Sequence, residues 1–197
     1  MKLKLLIIFV FISFTGYSQL GPLLFTDIDF KEKQADTIDI KLDSILILGM
    51  GSSVTRIFLA DMSNTMIKEL NNQKIIVSYF YLGRNAEEAN REFKLIDKTG
   101  YKAILFLLPT DTALLDTKYN TSTNRTESAY GPIASSTTTS RTSYQQTFNF
   151  QLCRVDKKNE KFWSASLDID CDPGKKNAAR KVVKKVFNRF RTHKYIE

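Results

Sequence analysis

The chain is poor in the residues that carry most protein chemistry. Its 197 residues include two cysteines, one histidine, one tryptophan, eight glycines and four prolines. Two cysteines cannot staple a disulfide-dense miniature fold, and so little glycine and proline excludes a collagen-like or low-complexity chain. The single histidine, His193, lies near the end of the sequence and reads as a solvated terminal residue. A histidine-based triad or metal site would have to be built there. The patterns H-E-x-x-H, G-x-S-x-G and S-x-x-K are absent. With no convergent catalytic set, the expectation is a protein that is not an enzyme, with no cofactor and no metal site. Long apolar runs are scarce as well. Residues 5–14 form one, far short of the roughly 20 residues that span a bilayer, and residues 44–50 and 103–109 are strand-length.

What is present is enough for a core. Hydrophobic residues make up 43% of the chain and aromatics 12%, which excludes a wholly disordered protein and suits one domain. Lys2 and Lys4 precede the apolar run at 5–14, and Thr15-Gly16-Tyr17-Ser18-Gln19 follows it. A basic start, a short apolar core and a small-residue exit are the anatomy of a secretory signal peptide. Cleavage is expected after Ser18, giving a protein exported to the periplasm or cell envelope. No cysteine lies nearby to accept a lipid, so the chain is expected not to be lipidated. The lysine, asparagine, isoleucine and threonine bias reads as bacterial.

Period and punctuation then divide the rest. Residues 19–43 read as a lead-in with an edge strand, from the alternation Thr37-Ile38-Asp39-Ile40-Lys41-Leu42. Residues 44–49 read as a buried strand. Val54, Ile57, Phe58, Met62, Thr65, Met66 and Leu70 recur at helical spacing, with Ser52 or Ser53 as N-cap. Residues 75–79 are a second strand. Residues 86–99 are a second helix burying Ala89, Phe93 and Ile96, stopped by Gly100. Residues 102–108 are a third strand. This alternation predicts an α/β fold: a βαβαβ half, then a long β-hairpin and a C-terminal helix, with helices packed on a mixed sheet. Residues 117–147 contain 15 serines and threonines and read as a polar hairpin or loop insertion. Phe148, Phe150 and Leu152 alternate, as do Trp163, Ala165, Leu167 and Ile169, and a turn at 156–160 joins the two runs. In that hairpin Cys153 lies opposite the region of Trp163, about 26 Å along the strand from Cys171, so two free thiols are expected. After the break Asp172-Pro173-Gly174, a helix over about 176–191 buries Ala179, Val182, Val183, Val186, Phe187 and Phe190. One domain over 44–192 and a tail at 193–197 complete the reading.

Three candidate surfaces emerge. Gly49, Gly51, Ser52 and Ser53 lie between the first strand and the first helix, with Arg56 one turn on. Backbone N–H groups at a helix start attract anions, and glycines let a phosphate approach. The motif lacks the lysine of a P-loop and the third glycine of a dinucleotide fingerprint, and a tight turn with a serine cap accounts for it equally. Asp168, Asp170 and Asp172 alternate along a strand end. They read as a solvated face, because EF-hand spacing is missing. The last helix carries Arg180, Lys181, Lys184, Lys185, Arg189 and Arg191 opposite its apolar stripe. This basic face is a surface for an acidic partner or an anionic membrane. The formal net charge of +8 belongs almost wholly to two places, Lys2 and Lys4 and the residues from 175 on, which hold nine basic side chains against Glu197. The body between them is slightly acidic, so nucleic acid is not an expected partner.

Three stretches carry a resemblance: Ile45-Leu46-Ile47-Leu48-Gly49 leading to Thr55-Arg56-Ile57-Phe58, Gly100-Tyr101-Lys102-Ala103-Ile104-Leu105, and Lys161-Phe162-Trp163-Ser164-Ala165 before a final helix. In that order they resemble small envelope lipoproteins of Gram-negative bacteria, and more distantly the α/β domain of the TolB N-terminal region, CsgG and LpoB. The resemblance implies an α/β sandwich and a role in envelope assembly or scaffolding, acting on an envelope protein partner. The lipid-attachment cysteine of that group is missing here. The functional expectation is therefore a non-enzymatic envelope accessory. The alternatives are an anion- or nucleotide-binding module at the first strand–helix turn, or peripheral contact with an anionic membrane through the last helix.

Overall fold

A computed structural model describes residues 26–36, 38, 40–128, 131–172 and 176–197. The signal segment, Thr37 and Asp39 of the expected edge strand, and Pro173-Gly174 lie outside the described residues. The fold is mixed α/β, mostly strand. Seven strands form one sheet in the order β1-β7-β6-β4-β2-β3, with β5 on β6. They are β1 Thr26–Ala35, β2 Ser44–Gly49, β3 Ile76–Tyr81, β4 Ala103–Pro109, β5 Leu114–Ser128, β6 Gly131–Arg154 and β7 Glu160–Cys171. Among the described residues, three helices accompany them: α1 Ser53–Asn72, α2 Ala86–Leu95 and α3 Lys176–Thr192.

The uninterrupted apolarity of β2 follows from its position. It pairs in parallel with both β3 and β4 and is covered on both faces. Ile45 and Ile47 enter the larger core with Leu59, Met62 and Met66 of α1 and Val182, Val186 and Phe190 of α3. Leu46, Leu48 and Ile104 enter a smaller core closed by Ala89, Phe93 and Ile96 on the α2 side. The other strand pairs, β4 with β6, β6 with β7 and β7 with β1, are antiparallel.

The N-caps of α1 and α2 are serviced by short polar side chains. The Ser52 hydroxyl accepts the Thr55 N–H at the start of α1, and the Asn85 carboxamide accepts the Glu88 N–H at the start of α2. The apolar stripe of α1 is rotated from the expected one. Thr55, Leu59, Met62, Ser63, Met66 and Leu70 face inward, and Ile57 is 61% exposed. The cause is Thr55, whose hydroxyl is drawn inward by a hydrogen bond to Gln146. Helix α2 ends at Leu95, four residues before the expected limit. The Lys98 ammonium donates to the Phe93 and Ile96 carbonyls at 2.7 and 3.1 Å and terminates it there. Gly100, with φ +89°, serves the turn into β4 instead.

The edge strand is β1, and it lies upstream of the alternation expected to form it. Its inward residues Ile28 and Phe30 pack on the core, while Asp27, Asp29, Lys31 and Lys33 stand outside. The segment after α3 is likewise not a solvated tail. Tyr195 and Ile196 are buried, the Leu42 N–H donates to the Tyr195 carbonyl, and the Tyr195 hydroxyl donates to the Asp36 carbonyl. His193 is half-buried rather than solvated. It stacks on Tyr195 and meets the Glu32 carboxylate at 2.9 Å, and that carboxylate also accepts the Trp163 indole N–H. Trp163 is fully buried, with the Phe190 ring edge-on at 4.9 Å.

Cys153 lies across from Lys161 and Cys171 across from Tyr144, so both thiols are free, as expected. Burial pushes each thiol up from an ordinary 9.0 to about 11. The unfolded chain therefore loses these protons first as pH rises. Stability is expected to be full below about pH 9 and to fall as pH climbs through 11. Native protein at neutral pH should react sluggishly with a thiol reagent and release two equivalents in denaturant. Two fast native thiols would contradict the burial.

Candidate functional site

The carboxyl ends of the parallel strands form the corner that the glycine motif marks. Strand β2 has β3 on one side and β4 on the other, and its two following connections run to opposite faces. In open α/β sheets such a switch point is where ligands enter. Gly49 ends β2 with no room for a side chain: a Cβ there would come within 2.9 Å of Leu59 and 3.2 Å of Tyr79. Gly51 has φ +143°, and a Cβ would lie 2.6 Å from the Thr55 methyl. The two glycines thus fix a turn tight enough to drop the chain straight into α1.

The corner's polar groups are largely engaged by the protein. The Gly51 N–H donates to the Gly83 carbonyl at 3.0 Å, and the Tyr81 hydroxyl donates to the Gly51 carbonyl. The Ser52 hydroxyl holds the Thr55 N–H and lies 2.9 Å from the Thr55 hydroxyl. The Arg56 guanidinium sits 4.9 Å from the centre of the Tyr81 ring. Ser53 opens the helix and is exposed. The structure therefore brings Gly49, Gly51, Ser52, Ser53 and Arg56 to one corner, with Arg56 resting on a ring.

Beside this corner lies a latch that sequence reasoning missed. Gln146 of β6 is buried, and its Oε1 accepts from the hydroxyls of Thr55 and Tyr144. Its Nε2 donates to the Asp111 carbonyl at 3.0 Å, and the Asp111 carboxylate accepts the Thr147 N–H at 2.9 Å. The latch ties α1 to the point where β4 gives way to β5. Burial drives the Tyr144 hydroxyl pKa far above its ordinary value, so it stays a donor. Tyr79, in the same region, is pushed up to about 12, mainly by burial and then by Tyr81. The alternation of Phe148, Phe150 and Leu152, carried back along β6, turns Gln146 inward, while its partners Thr55 and Asp111 are set by tertiary packing.

Two charged surfaces lie away from the corner. Asp27 and Asp29 of β1, Asp168 and Asp170 of β7, and Asp111 line a depression of about 280 Å³. The aspartate row of the sequence supplied two of these five. Two more come from cross-strand register, which places Asp27 opposite Asp170 and Asp29 opposite Asp168, and Asp111 comes from the connection between β4 and β5. Asp29 is paired with Lys31, and Asp170 accepts from Gln145 at 2.8 Å. Among the described residues, no group of three or more histidine, cysteine, aspartate or glutamate side chains is placed to hold a metal. The second surface is a groove of about 660 Å³ between α1 and α3. Arg180, Lys184 and Arg191 line it together with Lys68, with Asp61 and Glu69 on the α1 side. Lys181 and Arg189 are exposed on α3 outside this groove, and the Lys185 ammonium donates to the Ile28 carbonyl at 3.2 Å.

The largest departure from a compact body is the β5–β6 ribbon. Strand β6 begins to pair with β7 only at Tyr144, yet it pairs with β5 from Gly131 to Gln145. Residues 117–128 and 131–142 thus form a two-stranded arm on the order of 40 Å long. Its strands are joined by hydroxyl contacts, Thr117 with Thr142 at 3.0 Å and Thr121 with Thr138 at 3.1 Å. Tyr119 is 71% exposed on it.

No family model matches the chain. No curated protein matches it either. Among solved structures, the chain is similar to the PelC dodecamer from Paraburkholderia phytofirmans, at 9% identity and a TM-score of 0.41, over 82% of this chain and 94% of that one. A variant of that dodecamer in a second crystal form gives a TM-score of 0.40 at the same identity and coverage. A PDZ domain protein from Parabacteroides distasonis is similar at 10% identity and a TM-score of 0.36, over 87% of this chain and 37% of that one. Likeness at this level leaves the functional question to the residues themselves.

The latch gives a direct test of the corner. Gln146→Leu removes the acceptor shared by two buried hydroxyls and should cost about 1–3 kcal/mol. Urea denaturation measures it. A loss near zero would mean that the latch holds nothing.

Proposed function

We propose that this protein is an exported, non-enzymatic accessory of the bacterial envelope that acts by protein–protein contact. The β5–β6 ribbon is its contact element. The observation that carries this reading is the arm itself, residues 117–128 and 131–142, which leave the sheet and pair only with each other. A lone two-stranded ribbon in water is marginal, so an arm of this length supports a reading in which something else meets it. Its hydroxyl-rich faces suit polar contact and strand addition along open edges. Neither face has the apolar alternation of a lipid-facing hairpin. The βαβαβ half, the long hairpin and the closing helix support the same kinship with envelope α/β domains that the sequence motifs point to. Export from a cleaved signal peptide belongs to this reading. Replacing residues 117–142 by a short glycine turn should leave the melting of the body unchanged and abolish crosslinked partners in the native envelope. Undiminished partner capture by the shortened protein would sink the proposal.

A second reading has its own observation. Lys68, Arg180 and Lys184 share one groove, and none of them forms an ion pair within 4 Å among the described residues. Cations without an ion-pair partner in a groove between two helices support peripheral binding to anionic lipid. Co-sedimentation should then require anionic vesicles and weaken as salt is raised. Equal binding to neutral vesicles, or none to anionic ones, removes this reading. The corner at Gly49, Gly51, Ser52, Ser53 and Arg56 has no comparable support, since Arg56 and the Gly51 N–H are already engaged.

A further inference from the structure

The two outer edges of the sheet are defended very differently. Strand β1 carries Asp27, Asp29, Lys31 and Lys33 on its outward positions and bulges between Glu32 and Gln34. The Lys185 ammonium also caps the Ile28 carbonyl there. Charge, a bulge and a covering lysine are the usual means of blunting an edge. Strand β3, Ile76-Val77-Ser78-Tyr79-Phe80-Tyr81, has none of them. It contains no charge, no proline and no bulge against β2, and five of its six residues are strong strand formers. Ile76 is 66% exposed and Phe80 46% exposed, four residues apart on the same face.

We propose that β3 is the seat of a twofold dimer, in which the β3 strands of two copies pair antiparallel about Ser78. The backbone restricts the pairing to registers of one parity, and the exposed side chains choose this one among them. The Ile76 N–H donates to Asp43 and the Leu82 N–H donates to Gly49, both toward β2. Alternate residues of a parallel strand face the other way, so Val77, Tyr79 and Tyr81 present their N–H and C=O outward. For each face of the sheet to continue as the same face, opposed residues must both be even or both be odd. Centring on Ser78 satisfies both conditions. Val77 meets Tyr79 of the second copy in hydrogen-bonded pairs, giving four backbone bonds across the axis. Ile76 meets Phe80 of the second copy in the close non-hydrogen-bonded pairs, twice. The two exposed apolar side chains thereby cover each other. Centring on Tyr79 instead would set Phe80 against a serine and Ile76 against Leu82, which is already buried.

A second copy fits better than an unrelated strand because the patch complements itself. No charge in the paired register opposes its own image, and both apolar side chains find a partner. The surface is distinct from the ribbon, so the two proposals fail separately.

Sedimentation of the purified protein at micromolar concentration should show a dimer. Ile76→Lys, at an exposed position, should weaken association by about tenfold or more with unchanged melting. Phe80→Lys does the same from the other side of the pair and serves if the first variant melts early. Ser78→Cys should crosslink two chains under mild oxidation, since a non-hydrogen-bonded pair brings Cα atoms to about 4.5 Å, within disulfide range. Removing residues 117–142 should leave the dimer intact. A monomeric wild type, a dimer undiminished by Ile76→Lys, or a dimer that Ser78→Cys fails to link would overturn the proposal.

Discussion

Residues 148–154 of β6 hydrogen-bond to β4 on one edge and to β7 on the other. Residues 131–143 of the same strand bond to β5 alone. This change of company within one strand is the constraint on which the architecture depends. Where both edges are paired, Phe148, Phe150 and Leu152 can be buried completely. Where only one is, nothing closes over the strand, and the sequence turns to serine and threonine. The Gln146 latch sits at the boundary, where a buried acceptor must serve hydroxyls from a helix and from the strand itself.

Charge is partitioned by the same layering. Helix α3 needs its apolar stripe to cover β6 and β7, and its remaining face has to be solvated. Arginine and lysine fill that face almost without acidic relief. The opposite character gathers where β1 and β7 run side by side, with four aspartates in cross-strand register. A chain whose body is nearly neutral thus presents a cationic side and an anionic side.

Much of this is legible in the amino-acid sequence. The stripe of α3 is buried as its spacing predicts, and the three parallel strands lie where the apolar runs place them. The phase of α1 was hidden because Thr55 and Ser63 are inward, against the rule that apolar positions face the core. Strand β1 was hidden because aspartate and lysine alternate with Ile28 and Phe30, and that pattern also describes a polar lead-in. Lys98 ends α2 by reaching back to the Phe93 and Ile96 carbonyls, so the helical pattern that continues to Thr99 overruns the helix. The acidic depression, the latch and the partners of His193 all depend on register between strands distant in sequence, which one-dimensional spacing does not contain.

The first described strand and the last one are neighbours, and Tyr195 reaches back to Leu42 and Asp36. The order of synthesis is therefore opposed to the order of closure. Trp163 obtains its ring partner Phe190 only when α3 has been made, and β1 has no strand to pair with until β7 exists. Contacts this distant along the chain make folding slow. The cluster around Trp163 and the β1 edge therefore close late, and variants that weaken the last helix loosen the far edge of the sheet as well.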